Sequence, residues 1–224
     1  MNLKQLFFYF LALMLLSPNF IFGQRKITEA KIIYEISYPE MMLDSQMLSN
    51  MPQESVVFIK GNLSRTDLDL GMGISSSTIF NSNTGEVIAL TDLMGTKTAM
   101  KISREDQGRS KRQNKRSEMK VEVTDYTKEI AGYTCKRAVV NDFDETSLEI
   151  YFTEQISART SATIDWEEIN GFPMQYYLIE NGLRMLFKAK EVIPEQIADS
   201  VFEIPAGYKL ITQEEMMKMM GEEK

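Results

Sequence analysis

KEIAGYTCKRAVVNDFDETSLEIYFTEQ, residues Lys128 to Gln155, decides the fold. Tyr133, Cys135, Arg137 and Val139 alternate with Thr134, Lys136, Ala138 and Val140. Beyond a polar turn, Leu148, Ile150 and Phe152 alternate with Glu149, Tyr151 and Thr153. A period of two in β-branched and aromatic residues predicts a pair of half-buried strands. Asn141 to Glu145 between them is rich in turn formers but too long for a two-residue loop. Gly132 gives a flexible entry to the first strand, because glycine accepts positive φ. A one-residue slip would carry Leu148, Ile150 and Phe152 into water, so the pairing is well specified.

The rest of the chain repeats this pattern. Strands are predicted at 31–38, 54–60, 63–70, 74–81, 86–92 and 97–102, with breaks at Gly61-Asn62, Gly71-Met72-Gly73, Ser82 to Gly85 and Leu93-Met94-Gly95. A further strand is read at 119–126. Residues 172–180 and 183–192 form a hairpin across Asn181-Gly182, a dipeptide suited to the positive φ values of a type I′ turn. Short strands at regular spacing argue an antiparallel meander, not alternating βα units. A short helical turn is expected at 194–200, an extended segment at 201–208, and a helix at 212–220. Thr212 and Glu215 have the spacing of a capping box for that helix. The fold class is mainly β (α+β): a curved antiparallel sheet with a few short covering helices.

Composition bounds the function. The chain has 224 residues, enough for one domain with a substantial core. Residues 1–23 read as a signal peptide: Lys4 supplies the positive start, Leu6 to Leu16 the apolar run, and Gly23 a small residue at the cut. The run is short of the roughly 20 residues of a spanning helix, and no cysteine follows it to carry a lipid. The mature chain, residues 24–224, is therefore expected to be one exported domain, periplasmic or secreted, soluble after cleavage and without a membrane span. Losing Lys4 takes the net charge from −7 to −8, which argues against nucleic acid as a partner. There is no histidine, which removes His-based acid–base catalysis, Ser-His and Cys-His pairs, and His-ligated metal sites. No pair of carboxylates is set up by the pattern and no glycine-rich phosphate loop is present, so an enzyme is not expected. No cofactor is implied. Cys135 is the only cysteine and reads as a buried thiol.

Three features remain. Residues 103–117 form a basic stretch, read as a solvated loop between two halves of one sheet. In its functional reading, Arg109, Lys111, Arg112, Lys115 and Arg116 would meet an acidic or anionic partner. Residues 40–51 and 212–220 are rich in methionine, an unbranched and polarizable side chain that repacks around varied apolar guests. Clustered thioethers at Glu214 to Met220 also raise Cu(I) binding as an alternative.

The blocks YEISYP at Tyr34, FIKGNLSRTDL at Phe58, IAGYTCKRAVV at Ile130, EIYFTEQI at Glu149, INGFPMQYY at Ile169 and SVFEIPAGY at Ser200 together resemble the exported bacterial family catalogued as domain of unknown function 4412, typical of Bacteroidetes-type bacteria. The strand pattern with Phe202, Pro205, Gly207 and Tyr208 also resembles the periplasmic lipoprotein carriers LolA and LolB. That resemblance implies a half-barrel whose cavity takes a lipid or a lipoprotein acyl chain. The candidate lining, chosen by face and composition, is Met41, Met42, Leu43, Met47, Leu48, Tyr151, Phe152, Met185, Phe187, Met216 and Met220. The alternative is a non-catalytic structural or interaction protein of the envelope.

Overall fold

The computed structural model describes residues 26–39, 41, 48–107, 120–141, 147–161, 169–180 and 183–219. The expected leader and most of both the first methionine-rich segment and the basic stretch lie outside them. Twelve strands run in order: β1 (Glu29–Ser37), β2 (Glu54–Lys60), β3 (Leu63–Gly71), β4 (Ile74–Asn81), β5 (Val87–Leu93), β6 (Thr96–Ile102), β7 (Lys120–Ile130), β8 (Tyr133–Asn141), β9 (Ser147–Thr153), β10 (Phe172–Glu180), β11 (Leu183–Ile193) and β12 (Lys209–Leu210). They form one open, curved sheet in the order β12-β6-β5-β4-β3-β2-β1-β11-β10-β9-β8-β7.

The sheet is two meanders joined at one strand. β2 to β6 run hairpin by hairpin in one direction, and β7 to β11 run as antiparallel neighbours in the other, with the longer segment 154–171 between β9 and β10. β1 pairs antiparallel with β2 on one side and with β11 on the other. The expected mainly β, curved antiparallel architecture is what the chain adopts. β12 departs from it, pairing parallel to β6 through Lys209 and Leu210. Two residues carry too short a pattern to be read in advance.

β1 shows why the core forms here. Ala30, Ile32, Tyr34 and Ile36 share one face and are buried, and register sets Ala30 beside Ile59 and Ile32 beside Val57 on β2. On β11, Ala189 and Phe187 stand opposite Tyr34 and Ile36. Ile32, Ile36, Val57, Ile59 and Phe187 each contribute about 1.5–3 kcal/mol when fully buried. Leu48 and Met51 from one connection, with Ile156, Ala158 and Ile169 from another, pack against this cluster. The Tyr34 hydroxyl donates to the Pro173 carbonyl at 2.6 Å, which ties β1 to β10 through the core.

The opposite face is buried elsewhere. On β4, β5 and β6 it carries Ile79, Leu90 and Ala99, covered by Ile197 and Phe202 of the C-terminal segment. Polar ties fix that cover. Lys60 Nζ donates to the Ile197 carbonyl at 2.7 Å and to Asp199 at 2.6 Å, and the Ile197 N–H donates to Glu29 at 2.7 Å. Arg65 Nη1 donates to the Val201 carbonyl at 3.0 Å.

Four local expectations need correction. The helical turn expected at 194–200 falls at Asp199–Phe202, because Ile197 and Phe202 must both reach the sheet. Residues 201–208 are accordingly not one extended segment. β7 runs on to Ile130, so Ala131 (φ 50) and Gly132 (φ 81) are the tight turn of the β7–β8 hairpin rather than a flexible entry. Their paired positive φ values are those of a type I′ turn. Finally, the basic stretch opens with a helical turn at 104–107, capped by Ser103, whose Oγ accepts from the Asp106 N–H at 3.2 Å. Gln107 ties that turn back to the Gly85 carbonyl at 2.8 Å.

At the C-terminus, helix α1 spans Gln213–Met219. The Thr212 N–H donates to Glu215 at 2.8 Å and the Glu215 N–H donates to Thr212 Oγ1 at 3.2 Å, the reciprocal pair its spacing calls for.

Candidate functional site

The apolar candidates fall mostly into the packed core. Phe187 stacks on Tyr176 with ring centroids 5.2 Å apart, and Met185 stands opposite Leu178. Phe152 faces Pro173 on β10. Leu48 is half-buried against the same cluster, while Met41 is exposed and Met216 half-buried on α1. Met42, Leu43, Met47 and Met220 lie outside the described residues, as do Arg109, Lys111, Arg112, Lys115 and Arg116 and the Asn181-Gly182 turn, whose flanks Glu180 and Leu183 are in register.

Tyr151 belongs to a different surface from Phe152, because adjacent strand residues point to opposite faces. β9 is buried on both, from Ile150 to Thr153. The Tyr151 hydroxyl donates to Glu149 at 3.0 Å, and the Arg137 guanidinium pairs with the same carboxylate at 3.0 Å. Lys128 of β7 places its ammonium 3.4 Å from the centre of the Tyr151 ring and donates to Gln175 Oε1 on β10 at 2.9 Å. β8 and β9 lie between those strands in the sheet, so this reach is a direct measure of its curl. Burial pushes the Lys128 ammonium down from its usual range, and Lys188 adds to the effect. These contacts account for each polar group as a tie across the curl.

Cys135 is fully buried, and burial pushes its thiol up to about 11. The thiolate is the reactive form, so alkylation of the native protein at pH 8 should be at least tenfold slower than in urea. The pH dependence has a definite sign. The unfolded thiol loses its proton near 9.0, while the folded one holds it to about 11. The group therefore favours the folded state below pH 9, and that contribution fades as pH rises towards 11. Urea titrations at pH 8 and pH 10 on the chain and on Cys135→Ala should show the wild type losing more stability than the variant.

The sheet also carries an open groove of about 840 Å³ between residues 49–54, β3 and β4. Its lining is mixed. Met51, Leu68 and Ile74 are apolar, Ser75, Ser76 and Ser77 are small, and Glu54, Asp67, Asp69 and Asp92 are acidic. The cation among them, Arg65, is committed: Nε pairs with Asp67 at 2.7 Å and Nη2 donates to Ser77 at 3.3 Å. Tyr208 closes one end, with the Lys97 ammonium 5.8 Å from its ring. Sequence reasoning missed this groove, because its acids come from three strands, Glu54 on β2, Asp67 and Asp69 on β3 and Asp92 on β5, which only the fold brings together. A smaller pocket of about 250 Å³ sits beside Lys26, Glu154 and Arg159.

No described helix is long and apolar enough to cross a membrane. No family model matches the chain, and no curated protein matches it. Among solved structures, the chain is similar to PNGF-II in two crystal forms, with TM-scores of 0.55 and 0.54 at 14% and 15% identity, covering 87% of this chain and 33% of that one. The chain thus spans about a third of the length of PNGF-II, and at this identity the likeness shows the fold alone. A conserved uncharacterised protein from Thermus thermophilus gives a TM-score of 0.49 at 8% identity, over 85% of this chain and 94% of that one. MucB gives 0.33 at 9% identity, over 82% and 60%. Both scores are too low to bear on function.

Proposed function

We propose that the chain is an exported, non-catalytic binding protein, related to the domain of unknown function 4412 family, that takes up a hydrophobic ligand such as a lipid or a lipoprotein acyl chain. The observation that supports this is a pair of separate apolar stretches on the core face of the β7–β11 meander. Val123 stands opposite Ala138, Ala138 opposite Ile150, and Leu178 opposite Met185. Ala138, Ile150 and Met185 are buried, but Val123 is 45% exposed and Leu178 39% exposed. Apolar surface thus runs past what the described chain covers at each stretch, and acyl chains laid on this face would bury Val123 and Leu178.

Native mass spectrometry of residues 24–224 purified from a periplasm, followed by organic extraction, tests the reading. A discrete added mass that extracts as a lipid supports it. The Val123→Asp/Leu178→Asp double variant alters only exposed positions. It should weaken binding of a fluorescent fatty acid about tenfold, with thermal stability little changed. If neither fatty acids nor lipopeptides bind the wild type, the hydrophobic ligand is wrong.

A second reading, an interaction protein of the envelope, is favoured by one specific observation. Phe152, Met185 and Phe187 are only 2%, 5% and 3% exposed, so they fill the core rather than line a chamber.

A further inference from the structure

Two hairpin tips stand side by side at the mouth of the groove. The β3–β4 turn is Met72-Gly73 and the β5–β6 turn is Met94-Gly95, joined by the Met94 N–H donating to the Gly73 carbonyl at 3.0 Å. Both methionines adopt left-handed backbone conformations, with φ of 52 and 51. That region costs an ordinary L residue roughly 1 kcal/mol, which is why asparagine or glycine usually fills it. Both side chains also project into solvent, 74% and 76% exposed, beside Leu93 at 45%. Local turn chemistry therefore disfavours methionine twice over, in backbone and in solvation. The acids Asp69 and Asp92 brace the same tips, accepting from the Gly71 and Gly95 N–H groups at 2.8 and 2.7 Å. Both also line the groove, with Glu54 and Asp67 further in.

We propose that the methionine tips and the acidic groove together form a docking surface for a partner polypeptide segment that is basic and carries apolar side chains. Methionine presents a soft, adaptable contact to such side chains. Asp67 is offset by Arg65 at 2.7 Å and Asp92 faces Lys97 at 3.7 Å, so Glu54 and Asp69 supply the complementary charge. An anionic lipid surface fits less well, because the carboxylates beside the tips would repel its headgroups. The site lies on residues 49–54 and β2 to β6, apart from the β7–β11 core face of the proposed ligand surface, so either can fail without the other.

The test is fluorescence anisotropy of a labelled twelve-residue peptide of alternating lysine and methionine, titrated with the full chain. Binding is expected, weakening as sodium chloride rises and absent for a glutamate–methionine peptide. Met72→Asn/Met94→Asn keeps both turns, because asparagine tolerates their φ, and should lower affinity about tenfold. Glu54→Gln should lower it less and flatten the salt dependence. Equal binding by the double variant, or no binding at millimolar protein, overturns the proposal. So does tip-dependent flotation with phosphatidylglycerol vesicles, which would make the target a membrane. A concentration-dependent dimer that the double variant abolishes would make the occupant a second copy, and overturns it too.

Discussion

Gly171→Ala should lose about 3 kcal/mol of folding stability, the upper end of the usual cost of overpacking a core. A Cβ at this position would lie 2.5 Å from Phe152 Cδ2 and 2.8 Å from the Thr153 carbonyl oxygen. Neither neighbour can yield easily. Phe152 is 2% exposed and faces Pro173, and Thr153 is held in register with Phe172. The strain acts where β10 enters the sheet, so the β9–β10 pairing is what must give. The urea midpoint should fall by about 1–2 M with the slope unchanged. A midpoint indistinguishable from wild type would mean that β9 and residue 171 do not approach as described.

Ending the chain at Ile193 should be equally damaging, by the opposite route. The second apolar cluster would lose Ile197 and Phe202 together with Val201, Ile204 and Tyr208. Ile79, Leu90 and Ala99 would then face water, beside Phe58 and Ile88. The polar ties from Glu29, Lys60 and Arg65 would be left with no partner on that side. The truncated chain should aggregate or bind a hydrophobic dye strongly. Phe202→Ala removes one part of the cover and should cost about 3 kcal/mol in a chain that still folds. A truncated chain that stays monomeric and unfolds with wild-type cooperativity would show that the sheet does not depend on this segment.

The strands were legible because alternation and glycine-centred turns act locally. Glu54–Lys60, Ile74–Asn81 and Phe172–Glu180 fall where the pattern puts them. What could not be read is set by distant partners. Nothing local tells β1 that its second neighbour is β11, or that Lys209 and Leu210 will lie beside Thr98 and Ala99. Burial on both faces of β9 follows from the curl, which no single strand encodes. The candidate site shows the same division. Tyr151 and Phe152 both looked like lining residues because both are large and apolar. The pleat separates them, and only the packing shows that Phe152 is filled in while Tyr151 supports Lys128. Met72 and Met94 read as turn residues, and their adjacency appears only when two hairpins align.

The position of β1 has a consequence for how the chain comes together in time. The first strand to emerge can pair with β2 early, since only residues 38–53 separate them. Its other flank is reserved for β11, the last long strand made. Until then a hydrogen-bonding edge next to Tyr34 and Ile36 stays open to any extended segment that meets it. The two meanders can each form from local contacts, but joining them must wait for nearly the whole chain, and such long-range closure is slow. The hazard of mispairing is thus greatest just before completion, and a helper that shields one strand edge would suffice to carry the protein through it.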